Sequence, residues 1–459
     1  SKTHFLFISA RSSQLFGTWG CDVQLGKQAK GPTASFGLDD AIGLMGSLSL
    51  ATHAKPVAVE DQIRAFDVLK AQPNAPLSLA VSLPFCPALD LACDRASIVG
   101  QRVEEYSSGL IAEITSLASY LGPKKSLHSI HVFGASANYI SDIAIGQIFS
   151  VILDRFDLAS DGEISFELDP RRTSRSQLGF LRGLGVTELK LQVRDMDPTV
   201  QDAIGRYQSA ELLEDVIQVG RKLGFASIGV DQIFGLPCQT SETFASSLES
   251  LISLEPDWVE CHQFVKRARH FPHQAALLDE KLPSLAEKLM MYNTLNECMD
   301  SAGYTSVGLN LFVQPAHRLA RSFTDGELSL SAYGYHCHEA TSVLGAGLAA
   351  ISELPGLVLQ NPRTSDLWQQ SVAHGQLTEK MGLVNDNEQI EFRHLLRQLM
   401  CNQRVSLNGG GKPLSGQPLS VLVQSGLVEY KQDMFGVTEY GREWLPQLLM
   451  DSSPAFRSI

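Results

Sequence analysis

From Ser78 onward, short runs rich in β-branched and apolar residues alternate with longer segments whose apolar positions recur at three- and four-residue steps. The runs are SLAVSLP from Ser78, SIHVFGA from Ser129, EISFELD from Glu163, ELKLQV from Glu188, SIGVDQIFG from Ser227 and WVECHQF from Trp258. Between the first two, Val103, Tyr106, Leu110, Ile114, Leu117 and Leu121 form one apolar stripe along a helix. Similar helical segments follow each later run. Six strand-helix units in strict alternation predict an α/β fold, a parallel sheet curled into a partial (β/α)6 barrel of the TIM type. Ligand chemistry then belongs at the C-terminal ends of the strands, where the chain reads SLPFCPALDLACDR, FGASAN, ELDPRR and DQIFGLP.

The flanks read differently. Residues 1–77 carry turn signals at Gly17, Gly20 and Pro32 and are expected to wrap the barrel as an irregular extension. The alternation runs over residues 78–355 and stops after Pro355. Residues 356–459 then give a helix (QIEFRHLLRQLM), a glycine-rich link (NGGGKPLSG), a second helix (PLSVLVQSG), and a hairpin and helix in LVEYKQDMFGVTEYGREWL, the order of a winged-helix-like α+β module. The GGG at Gly409 lacks a preceding strand and a Ser or Thr after Lys412, so it reads as a connector and not as a phosphate loop.

Composition narrows the functional classes. The chain has 459 residues, 44% of them hydrophobic, enough for a large core. A formal net charge of −13 argues against nucleic acid as a partner, because phosphate binding needs clustered Lys and Arg. The longest apolar stretches, such as Ser342 to Ser352, are too short to cross a bilayer, and no leader pattern opens the sequence; the expectation is a cytoplasmic protein without membrane insertion. The eight cysteines are scattered in the manner of reduced thiols, and only Cys86 and Cys93 lie close enough in sequence to share a ligand.

These segments resemble the radical S-adenosylmethionine (SAM) enzymes of the oxygen-independent coproporphyrinogen III oxidase family, which includes haem chaperones and haem-utilisation relatives. The likeness runs from about Ala75 to the C-terminus and rests on APLSLAVSLPFC, ISFELDPRR and, most specifically, GFASIGVDQIFGLPCQT. The resemblance implies a loop in which three cysteines spaced C-x3-C-x2-C hold a [4Fe-4S] cluster. It also implies a glycine-rich turn after the second strand that admits the methionine part of SAM. Cys86 and Cys93 match the first and third cysteines, whereas Asp90 stands at the second, so the implied metal ligands are Cys86, Asp90 and Cys93. Carboxylate is a harder iron ligand than thiolate. Ala80 and Ser82 replace the Tyr and His of the lead-in, the glycine turn has become Phe133, Gly134, Ala135, Ser136 and Ala137, and Arg194 replaces a Gln on the fourth strand. By the same resemblance Gly134, Glu167, Arg206 and Asp231 mark a SAM-like pocket.

A second group of residues points to a tetrapyrrole. YGYHCHE places His336, Cys337 and His338 in what the resemblance makes the substrate segment, and in an extended strand the two histidines share a face. His262 closes the sixth strand. Imidazole and thiolate are the common axial ligands of haem iron, so these four are haem candidates. The leading expectation is a cluster-deficient relative that binds haem for trafficking or utilisation, with SAM and a [4Fe-4S] cluster disfavoured as cofactors. Two alternatives stand beside it: an active radical SAM enzyme using Cys86, Asp90 and Cys93 on a tetrapyrrole, and a non-catalytic regulatory or scaffold protein. Oligomeric state is not legible.

Overall fold

The computed structural model describes residues 54–86, 90–99, 102–122, 124–337, 342–406, 428–431 and 434–438. All six expected strands are present: β1 (Leu77–Ser82), β2 (Lys125–Phe133), β3 (Phe156–Leu168), β4 (Glu188–Arg194), β5 (Ser227–Phe234) and β6 (Trp258–Gln263). They pair in chain order and every pairing is parallel. β1 and β5 are buried at every residue, as strands covered on both faces must be.

Each strand is followed by a helix: α1 (Val103–Leu121), α2 (Asp142–Arg155), α3 (Arg175–Gly183), α4 (Ala210–Leu223), α5 (Ser241–Ile252) and α6 (Leu285–Ser301). Their starts are written in the sequence. Ser141, Ser174, Ser209, Thr240 and Ser284 each accept a backbone N–H from the first turn of α2 to α6, and Thr240 and Ser284 do so within capping boxes.

The parallel strands form the middle of an open sheet of thirteen. Beyond β6 lie Leu311–Val313 and then Thr305–Val307, both antiparallel. On the other side β7 (Ser342–Ala346) runs parallel to β1, and an antiparallel series follows through Ile351–Leu354, Leu357–Gln360, Lys380–Val384 and Lys55–Val57. The strand-helix alternation ends near Pro355, but the sheet does not: Pro355 and Gly356 make a two-residue turn, with Gly356 at φ +73°, that returns the chain antiparallel. Lys55–Val57, from the span read as an N-terminal extension, supplies the last strand.

Helix α1 is tied to this added part by a buried carboxylate. Glu113 accepts hydrogen bonds from Trp368 Nε1 at 3.0 Å, Gly347 N at 2.8 Å and Asn361 Nδ2 at 2.8 Å, with Lys380 Nζ at 3.5 Å. The Trp368 ring packs on Tyr106 with centroids 4.4 Å apart. Further along, a helix at Asn387–Asn402 leads into a three-stranded antiparallel sheet of Arg404–Ser406, Val428–Lys431 and Met434–Val437, the last in the centre. The hairpin expected in LVEYKQDMFGV is there; the glycine-rich link around Gly409 and the second helix lie outside the described residues. Among the described residues no helix is long and apolar enough to cross a membrane.

Candidate functional site

The loop after β1 and the turn after β2 are locked together by their backbones. Leu83 N donates to Phe133 O at 2.7 Å, and Ser136 N donates to Phe85 O at 3.0 Å. Gly134 lies so close to this crossing that a Cβ there would sit 2.0 Å from Leu83 O, which makes glycine obligatory at this one position of the turn. Cys86, Cys93 and Ala135 pack in one buried cluster. Burial pushes the Cys93 thiol up to about 11 and raises Cys86 as well, Asp90 adding to both.

Asp90 is also buried, but it is held in an ion pair: Arg206 Nη1 lies 3.4 Å from its Oδ2, while Oδ1 has no hydrogen-bond partner among the described residues. Arg206 is itself buried and holds Asp169 Oδ1 at 3.3 Å and Gln192 O at 2.7 Å. This donor set of two buried thiols and one paired carboxylate does not fit the three-thiolate ligation of the resemblance. Among the described residues no three His, Cys, Asp or Glu side chains converge as a metal-ligand set.

The C-terminal ends of the strands surround a cavity of about 340 Å³, within the range of ligand pockets. Register decides its floor. Glu167 on β3 is paired with Lys190 on β4, and Asp231 on β5 with Glu260 on β6, so charged side chains from four strands line the cavity together. Arg95, from the end of the cysteine loop, reaches Glu167 with Nη1–Oε2 at 2.6 Å. Lys190 Nζ lies 2.5 Å from Glu260 Oε2 and 3.7 Å from Glu167 Oε1. Burial alone would raise Glu167, yet Arg95, with His131 and Lys190, holds it well below the ordinary carboxylate range. A register shift between Gln192 and Arg194 places Arg194 at φ +76°, a costly value for a non-glycine residue, and its Nη1 meets Asp231 Oδ2 at 3.0 Å. Val193 N donates to the other oxygen of Asp231 at 2.8 Å.

Above this floor stands an aromatic wall. Phe133 stacks parallel to His131 with centroids 5.8 Å apart and lies 4.8 Å from the Tyr333 ring. Tyr333 is fixed in turn by hydrogen bonds from its hydroxyl to Ile351 O and from Ile351 N to that hydroxyl.

Gly134, Glu167, Asp231 and His262 line the cavity, and His262 Nε2 lies 3.6 Å from Glu260 Oε2. Arg206 is instead joined to Asp90 and Asp169 and does not line it. The structure divides the YGYHCHE residues. Ser329–Ser331 and Gly334–His336 form a hairpin whose Leu330 to Tyr335 line the cavity, but His336 and Cys337 do not. His336 stands at the open end of that hairpin, opposite Ser329, with Nε2 2.6 Å from Ser331 Oγ. Cys337 accepts from Arg318 Nη1 at 3.4 Å, and Arg318 pairs with Glu163 and with Glu188 at the opposite, N-terminal end of β4. His338, expected to share a face with His336, lies outside the described residues. Arg95, His131, Lys190 and Glu260 were not singled out from sequence. The available signal was the cost of a charge inside a buried strand, visible at Lys190 in ELKLQV and Glu260 in WVECHQ.

No model of a protein family matches the chain. Among curated proteins it is 30% identical over 359 residues to the oxygen-independent coproporphyrinogen III oxidase of Pseudomonas aeruginosa, covering 76% of this chain and 78% of that one. It is 29% identical over 391 residues to the protein of the same name from Salmonella typhimurium, covering 82% and 85%. Among solved structures, coproporphyrinogen III oxidase from Escherichia coli, a radical SAM enzyme, superposes with a TM-score of 0.80 at 26% identity, over 88% of this chain and 98% of that one. With the parallel strands and the strand-end cavity in place and this degree of identity, this chain belongs to the oxygen-independent coproporphyrinogen III oxidase family.

Proposed function

We propose that this chain binds a tetrapyrrole, haem in the first instance, in the mouth of its barrel and serves haem trafficking or utilisation without conventional radical chemistry. The observation that carries this reading is Phe133. It stands where the resemblance implies a glycine that gives SAM close access, and it stacks with His131 and Tyr333 as a wall on which a flat π system can lie. Two further features support it. Glu167 and Asp231, the acids of the SAM-like pocket, are engaged by Arg95 and Arg194, and Asp90 is engaged by Arg206. Of the haem candidates, His262 faces the cavity, with Glu260 positioned to orient its ring.

Two measurements on the purified chain test this. Haem titration should give a saturable, sharpened Soret band that His262→Ala shifts or abolishes. Anaerobic reconstitution should leave iron and sulfide well below cluster stoichiometry. Four irons and four sulfides per chain would overturn the reading in favour of an active radical SAM enzyme using Cys86, Asp90 and Cys93. Absence of saturable haem binding would leave a regulatory or scaffold protein.

A further inference from the structure

Four of the cations lining the cavity can be compared by their partners. Arg95, Lys190 and Arg194 each have a carboxylate at 2.6, 2.5 and 3.0 Å respectively. Arg363 has none: among the described residues no carboxylate lies within ion-pair distance of its guanidinium, although it lines the same cavity. It is exposed at the mouth, with its guanidinium carbon 5.5 Å from the centroid of the Phe271 ring. Partial desolvation lowers its pKa, and no acid opposes that effect. A cation with no acid beside it can take an incoming anion without displacing an internal partner.

The backbone just before Arg363 is fixed in place. Asn361 N donates to Ala350 O at 2.8 Å, Asn361 Nδ2 donates to Gly347 O at 2.7 Å and to Glu113 Oε1 at 2.8 Å, and Ala349 N donates to Pro362 O at 3.0 Å. The guanidinium is therefore presented from a rigid base and rests on an aromatic face, which limits the orientations it must give up on binding. A planar fork of N–H donors suits a carboxylate.

We infer that Arg363, seated on Phe271, is the residue that reads a carboxylate of the ligand, so the site selects tetrapyrroles with free acid side chains over those whose acids are masked. This rests on the tetrapyrrole reading above. Haem and haem dimethyl ester are titrated into wild type, Arg363→Ala and Arg363→Lys, with thermal melts to verify that each variant folds. Wild type should prefer haem to the ester by roughly tenfold, Arg363→Ala should lose about that factor for haem alone, and Arg363→Lys should retain part of it. Equal loss for both ligands would assign Arg363 a packing role and overturn the inference. Unchanged haem affinity in Arg363→Ala would do the same. Haem binding by wild type with either of these outcomes leaves the tetrapyrrole reading standing, whereas no binding of either ligand by wild type overturns both.

Discussion

The floor and the mouth of the barrel cavity are built on different electrostatic terms. On the floor, Arg95, Lys190 and Arg194 are each matched by Glu167, Glu260 or Asp231, and Gln192 links Gly134 O to Glu167. In the mouth, the groups are the rings of Phe133, Tyr333 and Phe271, with Arg363 lacking an acid, while His131 joins the two parts by stacking on Phe133 and lying 3.6 Å from Glu167. Buried ion pairs of the first kind are strongly coupled to the fold and already satisfied, so a further ligand gains little from them. The second kind leaves flat apolar surface and a cation, Arg363, free to take up an anion. Stability should therefore depend on the floor and ligand affinity on the mouth.

That division is tested most severely by Glu167→Gln, which leaves Arg95 and Lys190 without their shared carboxylate in the barrel interior. Breaking a buried pair in this way should cost about 3–5 kcal/mol of folding stability, read as a lower denaturant midpoint at unchanged slope. A change under about 1 kcal/mol would mean that water or rearranged neighbours satisfy the floor, and the contrast with the mouth would fail.

Acid titration gives an intermediate effect. Burial would raise Asp169, but Arg171 and Arg206 hold it at about 2. Its folded pKa is thus depressed below the unfolded value near ~4, so its contribution is fully present above that value and is lost as pH falls toward 2. Wild type should lose roughly 2 kcal/mol more than Asp169→Asn between pH 5 and pH 2. Parallel stability curves for the two proteins would show that the Arg171 and Arg206 contacts are electrostatically idle.

The smallest effect belongs to the mouth. Phe133→Ala removes one member of the stacked wall and should weaken haem binding about fivefold, near 1 kcal/mol, with little change in melting temperature. A large melting shift with intact haem affinity would place Phe133 with the floor residues and sharpen the boundary between the two.

Much of the architecture was legible because it depends on local patterns. The strand runs and the stripe from Val103 to Leu121 act over a few residues, as do the caps Ser141, Ser174, Ser209, Thr240 and Ser284 that the structure adds at the helix starts. The site was only half legible. Glu167, Asp231, Gly134 and His262 could be named, but Arg95 and Lys190 acquire their meaning from a carboxylate dozens of residues away. His336 shows the reverse case: its residue type fits metal chemistry, and the hairpin register puts it at the open end, off the cavity wall.

What the sequence by itself determined is the order of strands and helices, and with it the end of the barrel where chemistry collects, since hydrophobic period and capping are properties of neighbouring residues. It also determined that the cysteine loop lacks one thiolate, because Asp90 can be read directly. Only the tertiary structure decided how these side chains are used. Asp90 is paired with Arg206, Glu167 with Arg95 and Asp231 with Arg194, while Phe133 joins His131 and Tyr333. These contacts join separate segments of the chain, and strand register and loop crossing bring them to within a few ångströms, distances that no local pattern along the chain encodes.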